Sequence, residues 1–288
     1  MILTTIKKLL LISRPISWVN TAYPFVAAYI ISGGKLSPLF FIATVYFLIP
    51  YNLLMYGVND VFDYESDILN PRKGGIEGMR EQKAFHPTIL IASIVLSLPF
   101  IITMLALGNV ASGVGLFVLT FFVIAYSFKW LRFKERPVID SITSSLHFTG
   151  PALYGLLLTQ FEPSAWPFVI ALFFWGMASH ALGAVQDIIP DRTGKILSIA
   201  TVFGAKLTMR IVLVLYLAAA LIIMVQGFPA VLIGITGLIY IINIVPYMGV
   251  SDKQSPTVNR AWRRFLWLNM IAGFVVTIVL ITRLGLSF

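Results

Sequence analysis

The chain contains no cysteine, which removes disulfides, thiolate nucleophiles, zinc clusters and iron–sulfur centres at once. Any bound metal must rest on oxygen or imidazole, and imidazole is scarce, with 3 histidines in 288 residues. Charge is scarce too: Asp, Glu, Lys and Arg make up 11% of the residues against 58% hydrophobic ones, a balance foreign to water-soluble domains of this length. Lipid is the expected solvent. Residues 2–13 are too short to span a bilayer and lack a small-residue cleavage site, so they read as an interfacial helix rather than a removable leader.

What is abundant is long apolar sequence. Runs of roughly 17 to 25 residues are needed to cross the hydrocarbon core as helices, and nine are expected, at 15–32, 39–63, 87–107, 111–128, 137–158, 165–187, 208–226, 229–247 and 265–281. Pro15, Pro38, Pro137 and Pro229 stand at their starts, where a missing N–H costs nothing because the first helical turn has no partner for it. With nine spans, all of the 21 Lys and Arg except Lys35 and Arg283 fall on one side. The positive-inside rule then places the N-terminus and the even loops in the cytoplasm and the C-terminus outside. The net charge of +9 reflects this topology. Nucleic acid is not an expected partner, since the cations are divided among juxtamembrane segments.

Acidic residues obey no topology rule of comparable strength, yet all 12 except Glu162 lie on the same basic face. The second span ends in Asn59-Asp60-Val61-Phe62-Asp63-Tyr64-Glu65-Ser66-Asp67. If the helix continues, Asn59, Asp63 and Asp67 stack on one face at intervals of four. The sixth span ends in a second pair spaced by four, Asp187 and Asp191. Hard oxygen donors in two such groups suit Mg²⁺, which takes one or two carboxylates together with substrate phosphates. Arg72 and Lys73 follow the first group, and Arg192 and Lys195 the second, as phosphate recognition requires. Spans two and six, if they meet, make one diphosphate site. An isolated pair of this kind is usually a solvated helix end; its recurrence at two span ends argues for chemistry. A calcium-binding EF-hand loop is a poor match, because its Gly at the sixth position and Glu at the twelfth are missing.

The NDxxDxxxD string after the second span and DxxxD after the sixth resemble the UbiA superfamily of intramembrane prenyltransferases. The strings SRPISWVNTAYPF, FLIPYNLLMYGVNDVFDYESDILNPRKGGIEG, FKERPVIDSITSSLHFTGPALYG, FFWGMASHALGAVQD and SIATVFGA are most similar to its bacterial lycopene elongases, which build fifty-carbon carotenoids. The resemblance implies an all-α polytopic membrane protein, a single domain of nine transmembrane helices around a central cavity, with two Mg²⁺ at its cytoplasmic mouth. It implies Asn59, Asp63, Asp67, Asp187 and Asp191 as the metal shell, with Asp60 beside them. Arg14 and Lys129 match places where the superfamily contacts diphosphate, with Arg72, Lys73 and Arg192 as further contacts. Pro190 departs from this picture: it disfavours helical geometry at Ile189 and leaves Asp191 the least secure ligand.

The implied reaction is transfer of a dimethylallyl group from dimethylallyl diphosphate to lycopene in a bacterial or archaeal plasma membrane, with membrane lipids around the bundle. Residues 71–78, with three glycines, are expected to close over the bound donor. An aromatic quinone precursor or a lipid is the alternative acceptor; a secondary transporter is a different class, disfavoured because the acids lie at span ends and not at the midplane. His147 and His180 lie inside spans, where a neutral imidazole bonded to a neighbouring helix competes with a role beside the acceptor. Asp140 reads as a helix N-terminal acid, and Asn20, Asn52, Asn243 and Asn269 as interhelical glue.

Overall fold

The computed structural model describes residues 2–68, 70, 74, 79–159 and 163–283, and among them there is no strand. The helices are α1 (Ile2–Ile12), α2 (Val19–Ile31), α3 (Pro38–Leu48), α4 (Pro50–Phe62), α5 (Tyr64–Asp67), α6 (His86–Leu107), α7 (Val110–Ser127), α8 (Ile139–Leu158), α9 (Trp166–Val185), α10 (Ile188–Thr193), α11 (Ile199–Met224), α12 (Val231–Ile244) and α13 (Asn259–Arg283). Each expected span coincides with helix. Among the described residues, six stretches are long and apolar enough to cross a bilayer: Pro38–Phe62, Lys83–Leu107, Val110–Ser127, Pro163–Val185, Ile199–Met224 and Asp252–Thr282. Val231–Tyr247 is apolar but shorter, α2 has 13 residues, and α8 carries Asp140, His147 and several hydroxyls. The count of nine therefore rests on the charge map rather than on helix length.

Three expected boundaries are corrected. The span at 39–63 is two helices, because Pro50 has no N–H to continue the ladder and Ile49 departs to φ −119°, ψ −61°. Helices α11 and α13 begin at Ile199 and Asn259, well before 208 and 265. In α13 the helix extends into the polar flank that hydropathy leaves out; in α11 a short helical stretch from Ile199 precedes a kink at Gly204 (φ 74°, ψ 165°).

The chain divides into two compact units, Met1–Phe133 with Gly150–Phe161, and Lys134–Thr149 with Glu162–Phe288. In the first, α4 packs against α1, α3, α6 and α7. Its core is aromatic: Phe25, Tyr29, Phe40, Tyr46, Phe47, Tyr51 and Tyr154 cluster, with Phe47 5.3 Å from Phe25 and 5.6 Å from Tyr154 between ring centroids. Gly155 permits this packing, since a Cβ there would lie 2.8 Å from the Phe25 carbonyl oxygen. The break at Pro50 is closed by Asn52, whose buried amide donates to Thr21 Oγ1 (2.7 Å) and to the carbonyls of Phe47 (2.9 Å) and Leu48 (3.0 Å). Asn52→Leu should lower stability by about 1–3 kcal/mol, the usual cost of buried polar groups left unsatisfied, measured as a fall in Tm of the detergent-solubilised protein. An unchanged Tm would show that the carbonyls at the break find other donors.

In the second unit, α11 packs along α9 and α12, and α13 joins α12. Small residues on α9 make this possible: Ala178 and Ala181 are fully buried, and a side chain at Gly176 would collide with Ser145 of α8. Asn243 donates to the Ala261 carbonyl at 2.9 Å and Tyr240 donates to Asn269 at 3.0 Å, so both asparagines tie α12 to α13. Fully buried Asp140 accepts from the N–H of Ser141 and, at 2.7 Å, from that of Ile199. It therefore serves the N-terminus of its own helix, as expected, and that of α11 as well.

Candidate active site

The first acidic segment keeps helical register past the end of α4. The Asp63 N–H donates to the Asn59 carbonyl at 2.9 Å and the Asp67 N–H to the Asp63 carbonyl at 2.8 Å. Asn59, Asp63 and Asp67 thus share one face, as their spacing requires. Exposure separates the acids of this segment. Asp60, Asp63 and Asp67 are 6–7% exposed, whereas the Glu65 side chain is 73% exposed and pairs with Lys83 at 2.5 Å. Glu65 is a solvated helix-end charge, and the three aspartates are not.

Asn59 Nδ2 donates to Asp63 Oδ2 and, at 2.9 Å, to Ser127 Oγ at the end of α7. Both bonds are made by its amide nitrogen. Arg132 lies 4.0 Å from Asp63 Oδ1 and donates to the Phe62 carbonyl at 3.3 Å. Arg14 pairs with Asp60 at 2.7 Å and stacks 4.1 Å above Tyr56, while the Met79 N–H reaches the other Asp60 oxygen at 3.3 Å. Burial works to lower the Arg14 pKa, but the charge and hydrogen bond of Asp60, with Tyr56 and Asp67, together outweigh it, so the guanidinium is held above its ordinary value. Arg14 and Arg132 both adopt left-handed backbone, φ 52° and 42°, a conformation that costs a non-glycine residue about 1–3 kcal/mol and concentrates at functional sites. Lys129 sits exposed in the turn after α7. Arg72, Lys73 and nearly all of the 71–78 segment lie outside the described residues.

The second motif corrects an expectation. Ile188–Thr193 is helical, with Asp187 at its N-cap, and the Asp191 N–H donates to the Asp187 carbonyl at 2.9 Å. Pro190 falls in the first turn of this helix, where no N–H is required, so Asp187 and Asp191 stay one turn apart. Arg192, expected at the diphosphate, is bonded to Asp252 at 2.7 Å and to the Thr201 carbonyl at 2.8 and 3.2 Å. His180 Nδ1 lies 2.9 Å from Ser141 Oγ, the interhelical bond expected of a neutral imidazole.

Among the described residues, no three His, Asp or Glu side chains converge on one point as a metal cage. Sequence reasoning missed Ser127, Arg132 and Tyr56 as members of the site. Each lies outside the aspartate strings, and only Arg132 was marked by its charge.

An all-α membrane protein with carboxylate-bearing turns at the ends of two apolar helices has the layout of an intramembrane prenyl-transfer enzyme. The chain belongs to the UbiA prenyltransferase family, whose sequence profile matches residues 21–271, and is an integral multi-pass prenyltransferase. It is 50% identical to a lycopene elongase/hydratase of Corynebacterium glutamicum over 278 residues, 96% of this chain and 97% of that one. Identity to a lycopene elongase/hydratase of Haloarcula japonica is 31%, over 96% and 92% of the two chains. The fold matches that of a UbiA homolog from Archaeoglobus fulgidus solved bound to DMAPP and Mg²⁺, with a TM-score of 0.65, 18% identity, and coverage of 93% and 98%. The family expected from the sequence strings is borne out.

Proposed function

We propose that this prenyltransferase moves a dimethylallyl group from dimethylallyl diphosphate to each end of lycopene, releasing diphosphate and yielding a fifty-carbon carotenoid. The observation that carries the reading is the 50% identity to a lycopene elongase/hydratase along nearly the full length of both chains. Asn59, Asp63 and Asp67 in one group, and Asp187 and Asp191 in the other, are the proposed ligands of two Mg²⁺. Bound Mg²⁺ neutralises diphosphate charge and makes it a better leaving group. Arg132 and Lys129 supply cationic charge to the phosphate oxygens, and Arg14 fixes the Asp60 end of α4. Arg72 and Lys73 complete the proposed diphosphate contacts.

The allylic C–O bond breaks with its electron pair leaving on diphosphate, and the terminal alkene of lycopene attacks C1 of the dimethylallyl cation. The resulting tertiary cation on the acceptor captures water and loses a proton. Burial within the membrane helices excludes other water from the cations, and an apolar surface selects a hydrocarbon that has no polar handle. The positive-inside charge distribution supports a plasma-membrane orientation with the N-terminus and both motifs cytoplasmic.

The test is incubation of the purified protein in lipid with Mg²⁺, dimethylallyl diphosphate and lycopene. Carotenoids heavier by one and then two hydrated five-carbon units, lost on adding EDTA, are expected. Unreacted lycopene alongside prenylation of a quinone precursor by the same preparation would overturn the acceptor assignment.

A further inference from the structure

Gly204 interrupts α11 at φ 74°, ψ 165°. In an unbroken helix the Ala205 N–H would donate to the Thr201 carbonyl, four residues earlier. Here the two groups are parted and each finds a new partner. The Ala205 N–H donates to Asp252 Oδ1 at 2.7 Å, and the Thr201 carbonyl accepts from Arg192. Asp252 Oδ2 and Arg192 Nη1 then meet at 2.7 Å, so an ion pair is inserted into the broken hydrogen bond. Gly204 is required twice over, by its positive φ and because a Cβ would lie 3.1 Å from Asp252 Oδ1. On the other side of the motif, Asn259 Nδ2 donates at 2.7 Å to Gln186, the residue before Asp187.

The second acidic motif is therefore held at both ends by one short stretch, Asp252 beyond Asp191 and Asn259 before Asp187. The Arg192 and Asp252 side chains are 45% and 39% exposed, and an exposed ion pair contributes only about 0–1 kcal/mol. The bonds to the parted Ala205 N–H and Thr201 carbonyl brace α11, and the same stretch also fixes both flanks of the motif. We infer that Asp252 and Asn259 are positioning residues that set the placement of Asp187 and Asp191 for metal and diphosphate. The inference rests on reading those two aspartates as ligands. Lys cannot replace Arg192 here, because a single ammonium does not reproduce three directed N–H bonds.

The experiment compares Asp252→Asn, Asp252→Glu, Asn259→Ala and Asp187→Ala in the full-length protein. Binding of Mn²⁺ is measured by electron paramagnetic resonance with a thiolodiphosphate analogue of the donor, beside KM, kcat and Tm. Asp252→Asn and Asn259→Ala should each raise the half-saturating metal concentration and the donor KM about tenfold, the usual scale for residues that orient metal ligands. Lycopene KM should stay put, and Asp252→Glu should recover part of the loss. A lowered Tm with unchanged metal and donor binding in the folded fraction would reduce the bracket to a structural brace and overturn the inference. If Asp187→Ala also binds metal and donor normally, the ligand reading fails along with it.

Discussion

Asp63→Asn should abolish diphosphate release while leaving the protein folded. Asparagine keeps the shape and the backbone bond to Asn59, but removes the negative charge of the carboxylate whose Oδ2 accepts from Asn59 and whose Oδ1 lies 4.0 Å from Arg132. A metal acting on a leaving group supplies several kcal/mol, and since each 1.36 kcal/mol is about tenfold, kcat/KM should fall roughly 10²- to 10⁴-fold. Excess Mg²⁺ should restore part of it. Asp60→Asn provides the contrast: its carboxylate faces Arg14 and the Met79 N–H, so Tm should drop more and kcat less than for Asp63→Asn. Equal losses of kcat in the two variants would put Asp60 among the metal ligands and refute the division of labour drawn here. Diphosphate release and Tm measured on the same preparations distinguish these outcomes.

Asp140→Ala should be the most damaging substitution for stability. The carboxylate has no solvent exposure and accepts backbone N–H bonds at the starts of two helices. Each buried donor left unsatisfied costs about 1–3 kcal/mol, so the loss should reach roughly 2–5 kcal/mol, a large share of the margin of an ordinary domain. Low yield and a Tm well below that of the parent are expected. Asp140→Asn, which keeps one acceptor oxygen, should lose less than half as much. A normal Tm for Asp140→Ala would mean that the first turn of α11 is held by its Ser198–Thr201 capping box alone.

Much of this arrangement was legible in the sequence because it is local. The apolar runs marked the helices, and the spacing of Asn59, Asp63 and Asp67 determined their common face. Asn52 between apolar neighbours announced an interhelical bond. What was not legible depends on residues distant in the chain. The Arg192 bond to Asp252 spans sixty positions, and no spacing rule announces it. Arg132 was one cation among many in the sequence, and only the fold brings it within 4.0 Å of Asp63. Ser127 closes an apolar helix and carries no motif. Pro190 misled in the other direction: the rule that proline opposes helix applies to interiors, and the first turn is exempt.

That proline has a further consequence. The φ of Pro190 is already set before α10 forms, so the turn joining Asp187 to Asp191 loses less conformational freedom on ordering than a proline-free turn would. The second motif is thus held in shape at a lower entropic cost of folding. Pro190→Ala should therefore cost about 0.4–1 kcal/mol of stability, read as a small fall in Tm, while the bond from the Asp191 N–H to the Asp187 carbonyl keeps the two carboxylates one turn apart.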